Sequence, residues 1–114
     1  MNGCEISSSV RAGRRVLSVV GDVDLGSAEK LEAEIAGAVE GLDPGADLLL
    51  DLSGVSFLDS SGLRALILGS DAVKMADVRL AFVLSPAVSR VLEVTQLPPE
   101  AFGIAAPDWS AAGW

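Results

Sequence analysis

Two adjacent serines, Ser60 and Ser61, follow an aspartate and precede a glycine in the segment FLDSSGL, directly after an apolar run. Hydroxyls beside a carboxylate allow three roles: a catalytic nucleophile, a helix cap, or an acceptor of a phosphoryl group. The chain contains no histidine, so no Ser-His-Asp triad can form, and Asp24 or Asp59 would have to act as the base. Because carboxylates are weak bases at neutral pH, an enzyme with Ser60 as nucleophile is the least favoured interpretation.

The sequence predicts no cofactor and no metal site. With one cysteine, Cys4, and no histidine, the chain cannot build a Cys-rich or His-rich zinc site or an internal disulfide. It has no Walker phosphate loop, and the glycine spacing of GDVDLG does not fit a dinucleotide-binding motif. We interpret Cys4 as a small strand residue rather than a reactive thiol.

The formal net charge of −8 limits the class of partner. It disfavours nucleic acids and anionic membranes, both of which attract basic proteins. A basic or mixed protein partner remains possible, as does the interpretation that the charge only keeps the domain in solution. The sequence has neither a membrane-spanning apolar run nor the pattern of a signal peptide, and together with the single cysteine this predicts a cytoplasmic protein.

The first half of the hydrophobic pattern predicts a hairpin, a helix and a buried strand. Strands at about 4–10 and 15–20 flank the turn RAGR. Apolar residues at helical spacing cover about 28–40, with Ser27 as the expected N-cap. The unbroken apolar run DLLLDL, 47–52, is typical of a strand buried on both faces.

The second half continues the alternation of helices and strands. Helical spacing resumes from Leu63 to about Ala76, which makes Ser60 an N-cap candidate. Gly62 and Gly69 in this segment indicate either close packing or flexibility. A strand at 78–84 is followed by a helix with Ser85 as N-cap and a proline at its first position, and AFGIA forms a short last strand.

This order of elements predicts an α/β fold. A strand-helix alternation requires right-handed crossovers and a mostly parallel sheet. We therefore expect one domain over residues 1–106, with a central mixed sheet of about five strands, an N-terminal hairpin, and helices packed on the sheet. Residues 107–114 have no clear period and are assigned to a C-terminal tail, for which disorder is one alternative.

From local rules alone, a helix cap is the favoured role of Ser60. Its hydroxyl would accept a hydrogen bond from a free backbone amide, a gain of about 1 kcal/mol. The neighbouring Asp59 would gain about 0.3–1 kcal/mol from the helix dipole.

Three segments resemble STAS domains, and in particular the bacterial anti-sigma-factor antagonists that relieve the inhibition of a sigma factor. DLSGVSFLDSSGLRALI, 51–67, resembles the signature of that family, and GDVDLGSAEKLE, 21–32, and LSPAVSRVLEVTQL, 84–97, resemble its flanking segments. The resemblance covers about Val10 to Ile104, and the predicted order of elements agrees with the family's fold. The family usually closes with a further helix, whereas the chain after Ile104 is short.

The resemblance implies a partner-switching function. In the family, the first serine after the aspartate is phosphorylated by the anti-sigma factor, which is itself a serine protein kinase. By position this is Ser60, with Ser61 less favoured. The unphosphorylated antagonist binds the kinase and frees the sigma factor, the phosphorylated form dissociates, and a serine phosphatase resets the cycle. The expected surroundings of the site are Asp24, Asp59, Ser61, Gly62 and Leu63.

With the resemblance included, the phosphoacceptor role of Ser60 is favoured over the cap role, although one residue can serve both. The alternative is a STAS interaction module of a signalling assembly or a transport complex, in which Ser60 is not phosphorylated. Neither interpretation involves direct binding of nucleic acid or insertion into a membrane.

Overall fold

The computed structural model describes residues 3–96 and 104–105. Its sheet contains the strands β1 (Cys4–Arg11), β2 (Arg14–Val23), β3 (Asp47–Leu58), β4 (Arg79–Val83) and β5 (Ile104–Ala105). Its helices are α1 (Leu25–Glu40), α2 (Ser60–Met75) and α3 (Pro86–Val94). The predicted order of strands and helices is therefore confirmed. The predicted tail, 107–114, lies outside the described residues.

The strands form one mixed sheet in the order β1-β2-β3-β4-β5. β1 runs antiparallel to β2, while β2, β3, β4 and β5 are parallel to one another. The turn of the hairpin is Ala12–Gly13, and both residues have a positive φ, 53° and 77°, as a two-residue type I′ turn requires. The α/β fold with an N-terminal hairpin is confirmed, although the fifth strand has only two residues.

The strand DLLLDL is buried on both faces, as its sequence predicts. Leu48, Leu50 and Leu52 join the main core, which also contains buried residues of all three helices. Leu49 points to the other face and packs with Val16 and Ala81 of the neighbouring strands. Because side chains alternate along a strand, an unbroken apolar run serves both faces at once.

The close approach of α1 and α2 depends on a glycine. A Cβ added at Gly69 would lie 2.5 Å from Cδ1 of Ile35, which is fully buried on α1. Of the two roles left open for this glycine by the sequence, the structure supports close packing.

β2 and β3 both extend further than their hydrophobic pattern predicts. Their pairing continues through two register shifts, between Ser18 and Val20 and between Gly21 and Asp22, until Val23 pairs with Leu58. As a result α1 begins at Leu25, and its N-cap is Asp24 rather than Ser27. The prediction of Ser27 as the cap is wrong because the strand ends, rather than the hydrophobic period, determine where the helix can begin. The predicted cap of α3, Ser85, is confirmed by a hydrogen bond from the Val88 amide to its Oγ, 3.2 Å.

Candidate functional site

The candidate site lies where β2 and β3 end side by side. Val23 and Leu58 are the last paired residues of the two strands, and the amide of Asp59 donates a hydrogen bond to the carbonyl oxygen of Val23, 3.2 Å. Each strand leads directly into a helix. Asp24 and Asp59 therefore begin neighbouring helices at one edge of the sheet, which brings together two segments that are separated in the sequence.

Asp59, not Ser60, is the N-cap of α2. Its backbone is extended, and its Oδ1 accepts a hydrogen bond from the Gly62 amide, 2.9 Å. Its carbonyl oxygen accepts from the amide of Leu63, 2.9 Å. Ser60 is the first helical residue. The prediction of Ser60 as the cap is wrong because β3 ends at Leu58, so that Asp59 takes the capping position and its carboxylate satisfies the free amide.

Asp24 is held by a reciprocal set of hydrogen bonds at the start of α1. Its Oδ1 accepts from the Gly26 amide, 3.0 Å, and its own amide donates to Oγ of Ser27, 3.0 Å. The hydroxyl of Ser27 donates in turn to the carbonyl oxygen of Asp22, 2.9 Å. This is a capping box, which satisfies free amides in both directions. The sequence predicted Ser27 as an N-cap but did not show that its hydroxyl accepts a hydrogen bond from the Asp24 amide and so holds Asp24 in place.

The predicted site residues differ sharply in exposure. Ser60 is exposed, Ser61, Asp24 and Asp59 are half-buried, and Gly62 and Leu63 are buried. The Ser60 hydroxyl is thus accessible to a second protein, whereas Leu63 anchors the first turn of α2 in the core.

Gly62 is required by the close contact between α2 and the strand ends. A Cβ at this position would lie 2.5 Å from the carbonyl oxygen of Val23 and 2.5 Å from Cδ1 of Leu58. The first of these atoms belongs to the backbone and accepts the hydrogen bond of Asp59. Gly62 therefore allows the start of α2 to approach both strands.

Two exposed apolar residues at the same edge were missed by the sequence analysis. Leu25, directly after Asp24, is 78% exposed, and Phe57, two residues before Asp59, is 50% exposed. Phe57 pairs with Asp22 in the sheet and lines a groove of about 390 Å³ between β3 and α3. The sequence could not show that Phe57 is exposed, because the hydrophobic period around it is ambiguous unless the residue at which β3 ends is known.

The structure affects the ionisation of Cys4, which pairs with Gly21 of β2. Burial raises the pKa of the Cys4 thiol, and this outweighs the opposite effect of the Lys30 ammonium group. The thiol is therefore protonated at neutral pH, in agreement with the interpretation of Cys4 as a strand residue. Among residues 3–96 no cluster of ligands suited to a metal ion occurs.

Comparison with known proteins places the chain in a family. A family model described as the STAS domain matches residues 5–105. No curated protein matches the chain. None of the helices in the described part of the chain is long and apolar enough to cross a membrane.

Several solved structures share the fold. An anti-sigma factor antagonist from Mycobacterium paratuberculosis is 28% identical, with 96% of this chain and 91% of that chain covered and a TM-score of 0.76. The Bacillus cell fate determinant SpoIIAA in the phosphorylated form is 19% identical, with 97% of each chain covered and a TM-score of 0.62. The murine Solute Carrier 26 family member A9 anion transporter is 17% identical, with 92% of this chain but 20% of that chain covered and a TM-score of 0.67.

Proposed function

The chain belongs to the STAS domain family, and on this basis we propose that it is an anti-sigma-factor antagonist. In this proposal its unphosphorylated form binds an anti-sigma factor that is also a serine protein kinase, and thereby releases a sigma factor. Phosphorylation of Ser60 ends the binding, and a serine phosphatase restores it. The chain acts as an interaction module and not as an enzyme.

The observation that carries the proposal is the exposed hydroxyl of Ser60 at the first position of α2, beside a cap that Asp59 supplies. Because Ser60 is not the cap, a phosphate on its Oγ removes no capping hydrogen bond from the helix. The first amides of a helix lack partners within the helix, and the helix dipole favours negative charge at this end. The fold therefore tolerates a phosphoserine at this position.

The charge of the phosphate acts mainly on the partner. A phosphoserine carries about −1.5 to −2 charges at neutral pH. For charges roughly 6 Å apart, repulsion from Asp59 costs about 0.7 kcal/mol per unit charge in water and about 3 kcal/mol at a surface-like dielectric constant. The dipole offsets much of this cost within the domain, but a dianion enclosed in an interface without a cation loses its hydration. A penalty of about 3–4 kcal/mol would weaken binding by two to three orders of magnitude.

Two exposed apolar residues near the helix caps support a protein partner. Leu25 directly follows Asp24 and Phe57 stands two residues before Asp59, and exposed apolar side chains of this kind are typical of protein–protein contacts. We expect a partner that binds at this end of the sheet to contact them together with Ser60.

The test is a capture experiment from the source cell with wild-type protein and Ser60→Ala as bait. The proposal predicts that a serine kinase is bound by both baits, and that mass spectrometry then finds phosphate on Ser60 of the wild type after addition of ATP. Ser61→Ala is the matched control and should still be phosphorylated at Ser60. If the captured kinase phosphorylates Ser60→Ala as well as the wild type, the assignment of the site is wrong.

A second candidate function follows from the likeness to the anion transporter. Here the domain would be an interaction module of a transport complex, with Ser60 serving only as the first residue of α2. The same capture experiment, with Ser60→Asp added as a bait, separates the two functions. A transport complex would retain transporter subunits, and its components would bind wild type and Ser60→Asp equally.

A further inference from the structure

Within residues 3–96 and 104–105, no strand pairs with the outer edge of β1. Among the described strands, β1 pairs with β2 alone and stands first in the sheet. Its eight residues keep one continuous register, from Cys4 opposite Gly21 to Arg11 opposite Arg14, so no bulge turns this edge away. Exposed edges are usually blocked by charged side chains, above all lysine, or by proline or a bulge. The strand CEISSSVR has no lysine, proline or bulge, and its two charged residues, Glu5 and Arg11, have opposite signs.

The hairpin geometry determines which peptide groups of β1 face β2. In a two-residue type I′ hairpin the pair that flanks the turn, Arg11 and Arg14, is the hydrogen-bonded kind, and bonded and non-bonded pairs then alternate along the ladder. The odd-numbered residues of β1 therefore bond to β2. A hydrogen bond at the far end of the ladder agrees with this, since the Asp22 amide donates to the carbonyl oxygen of Gly3, 3.3 Å.

The even-numbered residues consequently direct their peptide groups outward. The carbonyl oxygen of Cys4 is one of these and accepts a hydrogen bond from Nζ of Lys30, 3.2 Å, which covers that end of the edge. The amides and carbonyls of Ile6, Ser8 and Val10 remain directed away from the sheet. These three residues offer a regular row of donors and acceptors.

We propose that this edge binds β1 of a second copy of the chain, antiparallel, about a two-fold axis at Ser8. In this register Ser8 of one copy lies opposite Ser8 of the other, and Ile6 of each copy lies opposite Val10 of the other. Every outward amide in the row then meets an outward carbonyl oxygen of the other copy. Val10 is 66% exposed, and Ile6 packs at the border of the core. Pairing places these two apolar side chains together on the helix-covered face.

Charge complementarity selects this register. On the opposite face of β1, the same pairing sets the exposed Glu5 against the exposed Arg11, twice in a symmetric dimer. If one β1 strand is shifted by two residues along the other, the outward amides and carbonyls of the two copies still face each other. However, such a shift places Ile6 or Val10 opposite Ser8 and separates Glu5 from Arg11. Only the register centred on Ser8 matches hydrogen bonds, apolar pairs and charges together.

The dimer would join the two sheets into one continuous sheet with the helices of both copies on the same face. The strands of the two copies run in opposite directions. The two Ser60 sites follow the carboxyl ends of β3, so they lie at opposite strand ends of the joined sheet. Pairing through β1 therefore leaves both Ser60 sites accessible, and the proposal does not depend on the function assigned to them. One strand from each copy buries less than the roughly 1,200 Å² of a standard interface, so we expect a dissociation constant of roughly 10 µM to 1 mM.

The first test is sedimentation equilibrium of the full chain over a concentration series that reaches about 1 mM. Ser8→Pro removes one outward amide and should abolish dimerisation, since proline is tolerated on the open side of an edge strand. Ser8→Thr keeps the amide and a hydroxyl and should dimerise like the wild type. Circular dichroism should show the same fold in all three. A wild type that stays monomeric throughout, or a folded Ser8→Pro that still dimerises, would overturn the proposal.

The second test uses charge reversal to examine the register. Glu5→Arg and Arg11→Glu should each be monomeric, because like charges then face each other twice. An equimolar mixture of the two variants should dimerise, because each Glu–Arg contact is restored between unlike copies. Glu34→Arg, an exposed site on α1, controls for net charge and should dimerise like the wild type. If the mixture does not associate while the wild type does, the pairing of Glu5 with Arg11 is refuted.

Discussion

The amide of Asp59 donates a hydrogen bond to the carbonyl oxygen of Val23, 3.2 Å away, and this bond joins the ends of two parallel strands where two helices begin. Beyond it, Asp59 caps α2 and Asp24 caps α1. The arrangement assigns the capping to carboxylates and leaves the Ser60 hydroxyl exposed. This division of roles separates the stability of the site from its proposed modification.

Replacement of Asp59 should destabilise the protein more than replacement of Ser60. Asp59→Ala removes the acceptor of the Gly62 amide and should lower the free energy of unfolding by about 1 kcal/mol. Asp59→Asn is the matched control, because asparagine is an equally good N-cap. Ser60→Ala should change the stability by less than about 0.5 kcal/mol, as is usual for an exposed residue. Urea unfolding measures all three, and a larger loss for Ser60→Ala than for Asp59→Ala would mean that the serine is the cap.

Gly62→Ala should destabilise the protein although alanine is the better helix former. The added Cβ would collide with the carbonyl oxygen of Val23, so the start of α2 must shift, at a cost of about 1–3 kcal/mol. Gly37→Ala is the matched control, because Gly37 is exposed on α1 and a Cβ there meets no atom within 4 Å. That variant should gain about 0.5–1 kcal/mol. Equal effects of the two substitutions in urea unfolding would contradict the close approach at Gly62.

The Cys4 thiol should ionise at a higher pH in the folded chain than in the unfolded chain. Burial raises its pKa above the ordinary value of 9.0, so the folded state favours the protonated form. This contribution to stability is fully present below the unfolded pKa and is lost as the pH rises through the folded pKa. The rate of alkylation by iodoacetamide should therefore reach its midpoint at a higher pH in native protein than in urea. A native midpoint at or below the unfolded one would show that Lys30 outweighs burial.

The sequence was sufficient to predict the order of the elements and the position of the serine pair at the start of a helix. It was not sufficient to identify the caps. Serine and aspartate are equally good N-caps, so local rules could not choose between Ser60 and Asp59 or between Ser27 and Asp24. The choice depends on where β2 and β3 end, and those ends depend on register shifts between the strands.

Other features of the site required knowledge of the neighbours in space. Gly62 and Gly69 look alike in the sequence, but the first approaches a backbone carbonyl and the second approaches Ile35. The exposure of Leu25 and Phe57 likewise follows from the extended strands and not from their own hydrophobicity. Tertiary contacts, and not local propensity, decide each of these cases.

The most direct test of the proposed switch is the affinity of the partner kinase for the chain with and without phosphate on Ser60. Isothermal titration calorimetry with the captured kinase should give an affinity at least about 100-fold weaker for the phosphorylated chain, a difference of roughly 3 kcal/mol. The two forms should show the same circular dichroism, because the start of α2 tolerates the charge. Ser7→Asp, an exposed acidic substitution on β1, should bind like the unmodified wild type. Equal affinities of the phosphorylated and unphosphorylated forms would contradict the account.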